Sequence, residues 1–538
     1  MPQGAKRWVW LWAMTWAVPT WAGAPLGERV DSVVNAKGFE RAHWGLMVVE
    51  AETGKTVFER DADRMFSPAS VTKLFTAASA LIDLGPDFRF KTPVVRRGEI
   101  KDGKLAGDLI LVAKGDLSLG GRTEANGTLL FEDNDHTYSG GNPDASIVQG
   151  DPLAGLTHLA REVQARGIKA IAGEVLIDDR LFELAPSSGS GPSRVSPILV
   201  NDNVVDLLVT PGAKSGDAAP VRIVPETAFI SIDAKIDTIA QGQAAVEVRP
   251  VGPRRVSIRG SIPVGHKPVL RIHEIAEPAA FARSLFIDAL RNRGIRVEAS
   301  NLGTNPESSL PSRAEVAALP VVAEYTSPPL REYLKVILKV SQNLHASTLP
   351  LLIASHHGES TLERGLRREG EILAGLGLDL KSISFGGGAG GSRADLVTPR
   401  ATVMLLRAMM ARPDFPAYDA ALPVLGRDGT LVKAVAPESP ARGHVRAKTG
   451  TYWVDDGLNG RAVLTSKALA GYLETASGRK LAFAFFLNNV PIDDIGGTIP
   501  EASANAGRLL GKLCEIFYAD DPGPTEPTPD AEPAKADR

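Results

Sequence analysis

The spacing of apolar residues along this chain alternates between helix-like and strand-like regions, and this alternation limits its architecture more than any other feature. Apolar residues first recur with the period of a helix, at positions 71, 74, 75, 78, 81 and 82. From about residue 96 to 310, short β-like runs such as 109–112 and 174–177 replace that pattern. Helical patterns return after residue 327, and strand patterns follow near the end. The sequence therefore predicts an α/β (α+β) domain that is split by a large β-rich insertion.

Both ends of the chain lie outside the predicted fold. Residues 1–24 combine Lys6 and Arg7, an apolar run over 8–21 and a small-x-small site over 22–24, which is typical of a secretory signal peptide. Residues 520–538 are rich in proline and charge and predict a disordered tail, because such a segment buries too little apolar surface. We therefore expect an exported protein of the periplasm or cell envelope.

Composition excludes several classes of function. The chain has 60 Lys and Arg against 63 Asp and Glu, a net charge of -3, so we expect no nucleic-acid partner. The single cysteine, Cys514, excludes an internal disulfide and a multi-cysteine zinc site. Beyond the predicted signal peptide we find no apolar run of spanning length, so membrane association is at most peripheral. The oligomeric state is left open.

Three short motifs can carry chemistry when they are considered together. They are Ser70-x-x-Lys73, Ser341-x-Asn343 and Lys448-Thr449-Gly450. The first two also occur a second time, as Ser477-x-x-Lys480 and Ser503-x-Asn505. Context selects the first copies, because Ser70 and Lys73 share one face of a predicted helix that Ser67 would cap. Ser477 lies instead in a predicted hairpin turn.

These residue types are suited to nucleophilic catalysis. A serine hydroxyl needs a base, and Lys73 can be that base if burial and a second cation, Lys448, lower its pKa. The backbone N–H groups of Ser70 and Thr451 are candidate donors to a developing oxyanion.

The remaining motif residues are candidates for proton transfer and substrate binding. Ser341 can relay a proton to a leaving amine, and Asn343 can hold a substrate amide. Lys448 and Thr449 can hold a terminal carboxylate, while Gly450 leaves room for substrate along its strand. No metal and no cofactor is expected.

The ordered motifs resemble those of the penicillin-recognising serine peptidases. Longer matches resemble the D-alanyl-D-alanine carboxypeptidase/endopeptidases of the penicillin-binding protein 4 type (peptidase family S13). Those matches are the segments 68–73, 111–116, 173–178, 196–203, 327–330, 340–344, 426–431, 447–451 and 469–472. The long separation of Lys73 from Ser341, 268 positions (341 minus 73), is typical of that family.

The resemblance implies a fold, an activity and partners. The fold is a β-lactamase/transpeptidase-like domain at 25–97 and 311–519, an inserted domain at 98–184 and 266–310, and a nested inserted domain at 185–265. The activity is that of a serine DD-peptidase that cleaves D-Ala-D-Ala bonds, and possible further targets are D-Ala-diamino acid cross-links. Peptidoglycan stem peptides are the implied substrates, and β-lactams are the implied inhibitors.

Two departures from the family pattern keep alternatives open. The family usually has an Asp at the position of Gly387, and the segment 452–467 after the Lys-Thr-Gly motif is longer than usual. The missing Asp keeps a non-catalytic peptidoglycan-binding scaffold open as an alternative. A β-lactamase is the other alternative, because it would share the three motifs and differ in its fast deacylation.

Three further patterns are interpreted as structural rather than functional. The glycine-rich stretch 386–391 is interpreted as a flexible turn, because no acidic residue follows at the spacing of a dinucleotide site. The acidic segment 132–136 and the segment His356-His357-Gly358-Glu359 are interpreted as solvated loops rather than metal sites.

Overall fold

The computed structural model describes residues 24–141 and 145–520. The predicted signal peptide, apart from Ala24, and the predicted tail, apart from Asp520, lie outside the described residues. The described helices are α1 (Leu26–Val34), α2 (Thr72–Leu84), α3 (Ala154–Ala165), α4 (Pro278–Asn292), α5 (Arg313–Ala318), α6 (Leu330–Lys339), α7 (Asn343–His356), α8 (Leu362–Gly375), α9 (Pro399–Met410), α10 (Phe415–Ala420) and α11 (Ile499–Ala519).

The strands are likewise numbered in chain order. They are β1 (His43–Glu50), β2 (Thr56–Arg60), β3 (Lys91–Lys101), β4 (Lys104–Val112), β5 (Ala170–Ile171), β6 (Val175–Asp178), β7 (Ala185–Pro186), β8 (Arg194–Val195), β9 (Val204–Val209), β10 (Val221–Val224), β11 (Ser231–Ile239), β12 (Ala245–Gly252), β13 (Arg255–Pro263), β14 (Val269–Glu274), β15 (Arg296–Val297), β16 (Val321–Thr326), β17 (Ile383–Ser384), β18 (Leu396–Val397), β19 (Val445–Asp456), β20 (Arg461–Glu474), β21 (Lys480–Asn488) and β22 (Val490–Pro491).

A central antiparallel sheet joins the two ends of the chain, in the order β19-β20-β21-β1-β2. Side chains alternate across β1, so Met47 and Val49 enter a core with α2, α6, α7 and α9. Trp44, Leu46 and Val48 enter a second core with α1 and α11 on the other face. The sheet is therefore covered by helices on both sides, and β19 forms one of its edges.

The part of the chain between β2 and α6 contributes its own sheets. One has the order β15-β5-β4-β3-β16, with β6 also paired to β4, and it packs against α3 and α4. Two three-stranded sheets, β10-β9-β14 and β11-β13-β12, are formed between residues 204 and 274. The mixture of helices and strands and the β-rich insertion match the expected fold class.

The domain limits expected from the sequence remain predictions. The strand pairing favours different limits, because β3 begins at Lys91 and pairs with β4 from Val94 onward, while β16 ends at Thr326 and pairs with β3. We therefore propose that the inserted part begins before β3 and ends after β16.

Candidate active site

Ser70 lies directly before α2 rather than inside it. A single 3-10 turn, Ala69–Val71, precedes the helix, which begins at Thr72. The expected Ser67 cap is wrong, because the backbone N–H of Ser67 donates to Oδ1 of Asn488 and no side chain caps α2. Ala69 has a φ of 45°, and this unusual conformation turns the chain into the site. Ser70 itself is half-buried.

Lys73 is fully buried, and its ammonium is fully hydrogen-bonded. Nζ of Lys73 donates to Oγ of Ser70 at 2.7 Å, to Oδ1 of Asn343 at 2.7 Å and to the carbonyl oxygen of Ala389 at 2.8 Å. Burial lowers the pKa of Lys73 to about 7, although the carboxylates of Asp135 and Asp395 oppose the shift. A proton acceptor for the Ser70 hydroxyl is therefore available near neutral pH.

Ser341 and Asn343 lie at the link between α6 and α7. Ser341 has a φ of 67°, a left-handed conformation that is uncommon for serine. Its Oγ accepts a hydrogen bond from Nζ of Lys448 at 2.9 Å. Asn343 is the first residue of α7, and besides meeting Lys73 it donates from Nδ2 to Oγ of Ser190 at 2.8 Å.

The Lys-Thr-Gly motif lies on the edge strand β19. Lys448 is fully buried, and its pKa is lowered well below the usual range by burial and then by the neighbouring Lys73. The repulsion between the two ammonium groups acts on both lysines, so the expectation that Lys448 lowers the pKa of Lys73 stays a prediction. Oγ1 of Thr449 donates to Oγ1 of Thr430 at 2.8 Å, and Thr451 is exposed beyond it.

Gly450 is needed for packing at this strand. A side chain there would collide with the carbonyl oxygen of Pro68 and lie 3.3 Å from Cβ of Ala69. Glycine therefore allows β19 to approach the turn that presents Ser70. The face of β19 at Gly450 is covered by protein, and a role in substrate binding stays a prediction.

Asp135 is a further site residue that the sequence analysis missed. Its Oδ2 accepts from the backbone N–H of Asn343 at 2.9 Å, while Oδ1 accepts from N and Oγ1 of Thr137 at 2.8 and 2.7 Å. The interpretation of 132–136 as a solvated loop is wrong, since Asp135 and His136 are 8% and 3% exposed. The inserted part of the chain thus supplies a carboxylate that holds the start of α7.

A buried ionic network fixes this segment. Nδ1 and Nε2 of His136 contact Asp202 and Asp206, each at 2.7 Å. Burial lowers the pKa of His136, but the two carboxylates outweigh that effect and raise it to about 9. Asp202 also pairs with Arg122 and accepts from Nε2 of His345, the third residue of α7, at 2.8 Å. The network therefore ties the insertion to the helix that carries Asn343.

The glycine-rich stretch is packed rather than flexible, which corrects the sequence interpretation. Residues 387–390 are buried, and Gly390 packs against the backbone of Ala69 and Ser70. Asp395 holds the ends of the stretch, because its carboxylate accepts from the backbone N–H groups of Gly386 and Ser392, each at 2.8 Å.

A hairpin of the insertion packs against the glycine-rich stretch at position 387, where the family usually has an Asp. A Cβ on Gly387 would lie 2.6 Å from Oγ of Ser188, and one on Gly391 would lie 2.5 Å from the N atom of Gly189. Oγ of Ser188 accepts from the backbone N–H of Ala389 at 3.1 Å. Ser188 therefore occupies the space that a side chain at position 387 would need.

The motif residues split into those that converge and those that do not. Hydrogen bonds connect Lys73 to Ser70 and to Asn343, and Lys448 to Ser341. These two groups are neighbours, because Gly450 packs against Pro68 and Ala69 and the charge of Lys73 acts on Lys448. Of the second copies, Ser477 lies in the turn between β20 and β21, and Ser503 lies on α11. The long segment after Lys-Thr-Gly is a continuation of the β19–β20 hairpin, with a register shift between Tyr452 and Trp453.

Comparison with known proteins identifies the family. Residues 26–504 match the sequence profile of the D-Ala-D-Ala carboxypeptidase 3 (S13) family. The chain belongs to this family. As an S13 member it is a serine-type D-Ala-D-Ala carboxypeptidase, and the resemblance stated from the motifs is confirmed. Family membership favours this activity over the β-lactamase and the non-catalytic scaffold.

Relatives of this S13 chain match it in sequence or structure over most of its length. A D-alanyl-D-alanine carboxypeptidase of Actinomadura sp. (strain R39) is 32% identical over 495 residues, which cover 86% of this chain and 81% of the relative. One of Haemophilus influenzae is 22% identical over 503 residues, covering 90% and 92%. The crystal structure of penicillin binding protein 4 from H. influenzae has a TM-score of 0.68 at 21% identity, covering 91% of this chain and 99% of that chain. That likeness confirms the fold class.

Proposed function

We propose that this S13 member hydrolyses the D-Ala-D-Ala ends of peptidoglycan stem peptides through an acyl-enzyme on Ser70. The observation that carries the proposal is the 2.7 Å contact between Nζ of Lys73 and Oγ of Ser70. Because the pKa of Lys73 is about 7, a large fraction of this side chain is neutral at neutral pH and can accept a proton.

Acylation begins with that proton transfer. Neutral Lys73 takes the proton of the Ser70 hydroxyl, and Oγ forms a bond to the carbonyl carbon of the penultimate D-Ala. The carbonyl oxygen becomes an oxyanion, which the backbone N–H groups of Ser70 and Thr451 stabilise. The exposed position of Thr451 on the edge strand β19 supports this assignment.

Collapse of the intermediate releases the terminal D-Ala. Oγ of Ser341 gives its proton to the leaving amine, and Nζ of Lys448, at 2.9 Å, returns one to Ser341. The carbon–nitrogen bond breaks, and an ester with Ser70 remains. Lys73 first releases to solvent the proton that it took from Ser70, and Lys448 takes one up. Water then attacks the ester carbonyl while neutral Lys73 accepts its proton, and that proton passes to Oγ of Ser70 as the ester bond breaks.

Binding of the substrate depends on its free carboxylate. The ammonium of Lys448 and the hydroxyl of Thr449 hold the carboxylate, and Asn343 holds an amide of the peptide. A carboxylate beside Nζ of Lys448 favours the charged form of this buried lysine. Carboxylate binding and Lys448 protonation are therefore coupled.

β-Lactams are proposed as inhibitors that acylate Ser70. The penicillin binding protein 4 of H. influenzae has been solved in complex with a β-lactam. The direct test is intact-protein mass spectrometry after incubation with a penicillin, which should add one β-lactam per chain. Ser70→Ala should remove the adduct. Ser477→Ala, which alters the second Ser-x-x-Lys copy, should keep it. An adduct that survives Ser70→Ala contradicts the mechanism.

The cross-link between D-Ala and a diamino acid is proposed as a second substrate bond. A digest of purified muropeptides separates the two activities, since carboxypeptidase action removes D-Ala from monomers and endopeptidase action cleaves dimers. If the Ser70→Ala variant still forms both products, another residue or a contaminant catalyses the cleavage.

Export to the periplasm or cell envelope is proposed from the amino-terminal pattern. Among the described residues, no helix is long and apolar enough to cross a membrane. Cell fractionation with amino-terminal sequencing tests the proposal, and an envelope fraction that begins at Pro25 is the expected result.

A further inference from the structure

The two helices that carry Lys73 and Asn343 meet again at their far ends. Lys73 lies in the first turn of α2 and Asn343 is the first residue of α7, and the two side chains are hydrogen-bonded. The helices have 13 and 14 residues, so each spans about 20 Å from the active site. α2 and α7 therefore run side by side in the same direction, and both end at one place on the surface.

Three side chains with metal-ligating atoms converge at that place. Nδ1 of His356 lies 3.0 Å from Oδ2 of Asp83, and Nε2 of His357 lies 2.7 Å from Oδ1 of the same carboxylate. The ligand atoms of the three residues all lie within 4.8 Å of one another. Asp83 comes from the last turn of α2, and the two histidines end α7, so the cluster bridges both helices.

We propose that Asp83, His356 and His357 form a binding site for Zn²⁺ or a similar divalent transition-metal ion, and that the ion joins the ends of α2 and α7. Imidazole nitrogen and carboxylate oxygen are the ligands that Zn²⁺ takes in proteins, at about 2.0–2.2 Å. Neighbouring ligands of a tetrahedral ion at that distance are roughly 3.4 Å apart. The two histidine nitrogens now lie 3.0 and 2.7 Å from the two oxygens of Asp83, so these separations need to open by about 0.4 and 0.7 Å.

The electrostatics of the position also favour a cation. The carboxyl ends of both helices converge here, and each helix carries negative partial charge at that end. The Asp83 side chain is 9% exposed, whereas His356 and His357 are 48% and 38% exposed. A buried anchor with two accessible imidazoles leaves a path for the ion and room for water as the fourth ligand. The site is about 20 Å from Ser70, so its role is to stabilise the helix pair rather than to enter the reaction.

Ion entry requires a proton rearrangement that the exposed histidines permit. Each imidazole now directs a ring nitrogen at the carboxylate, and metal binding needs a lone pair on that nitrogen. The proton moves to the other ring nitrogen or to solvent. Hard ions such as Mg²⁺ prefer oxygen ligands and should not compete.

The test uses the full-length protein after treatment with a chelator. Titration with Zn²⁺ alone, followed by calorimetry, should give one ion per chain and a raised Tm. Co²⁺ in the same site should give visible absorption bands that are absent from free Co²⁺. His357→Ala and His356→Ala should each weaken Zn²⁺ binding at least about 10-fold, and should remove the Tm shift while keeping the penicillin adduct on Ser70.

His158→Ala is the matched control, because His158 is also partly exposed and lies 3.4 Å from a carboxylate, that of Glu162, but has no second histidine beside it. It should bind Zn²⁺ as the unaltered protein does. Failure to bind Zn²⁺, or binding that the double variant His356→Ala/His357→Ala retains, would overturn the proposal. Either result is independent of the peptidase assay, so it leaves the proposed function unaffected.

Discussion

The active site has two walls that differ in origin and in task. One wall comes from the central sheet and its helices, and it presents the hydroxyl of Ser70 and the amino groups of Lys73 and Lys448. The other wall comes from the insertion, and it presents Asp135 and Ser190, both of which bind Asn343. The first wall supplies groups that transfer protons, whereas the second holds Asn343, which accepts a hydrogen bond from Lys73. An insertion far away in sequence can therefore complete a site without carrying any of the three catalytic motifs.

The largest expected effect lies in the first wall. Lys73→Ala removes the proposed base, and the rate of acylation by penicillin should fall by at least about 10³-fold. Stopped-flow or timed mass spectrometry measures that rate. Lys480→Ala changes the lysine of the second Ser-x-x-Lys copy and should leave the rate unaltered. A comparable fall in both variants would mean that the loss is not specific to the site.

The same wall should determine the pH profile. The pKa of Lys73 is lowered from 10.5 to about 7, so its neutral form is populated above pH 7 and is lost as the pH falls through that value. The acylation rate should therefore drop about tenfold for each pH unit below 7. Rates measured between pH 5 and 9 check the sign, and a profile that stays flat down to pH 5 contradicts the assignment of the base.

Substitutions in the second wall should slow acylation less, and the contributions of charge and of hydrogen bonding can be separated. Asp135→Ala removes both the charge and the acceptor for the Asn343 N–H, and we expect a loss of about 10–100-fold in acylation, equivalent to about 1–3 kcal/mol. Asp135→Asn keeps an acceptor but removes the charge that raises the pKa of Lys73. Its pH profile should move to lower pH with a smaller loss of rate.

A neighbouring acid provides the control for Asp135. Glu132→Gln makes the same change of charge in the same segment, at a side chain that accepts from Oγ of Ser146 at 3.0 Å. It should preserve both the rate and the profile. If Glu132→Gln and Asp135→Asn shift the profile equally, the effect is one of net charge rather than of position.

The smallest expected effect concerns the contact between the two walls. Gly387→Ala places a Cβ 2.6 Å from Oγ of Ser188, and such overpacking should destabilise the protein by about 1–3 kcal/mol. The double variant Ser188→Gly/Gly387→Ala should recover most of the loss, because the colliding atoms are gone. Urea denaturation of the four proteins in this cycle measures the coupling. Additive losses would show that Ser188 does not fill the space at position 387.

Several elements could be predicted from the sequence because their causes are local. The strand over 44–49 and the helix from Pro278 follow from side-chain periodicity, and the structure has them as β1 and α4. Ser70 faces Lys73 as expected, although the helix begins two residues later than Ser70. The order of the three motifs indicated a penicillin-recognising serine peptidase, and the longer matching segments indicated family S13, before any contact between the motifs was known.

Other features could not be predicted, because they depend on contacts between distant residues. Asp135 and Asn343 are 208 positions apart, and an acidic segment that looks solvated by composition is buried against α7. The glycines at 387 and 391 fit a flexible turn equally well until the insertion hairpin is seen to pack on them.

The fold class, the order of the motifs and the residue types of the reaction follow from the amino-acid sequence, since periodicity and spacing are properties of the chain. Which of these groups are buried depends on contacts between distant segments, so it is visible only in the folded protein. Burial removes water from an ammonium group, and this lowers the pKa of Lys73 to about 7.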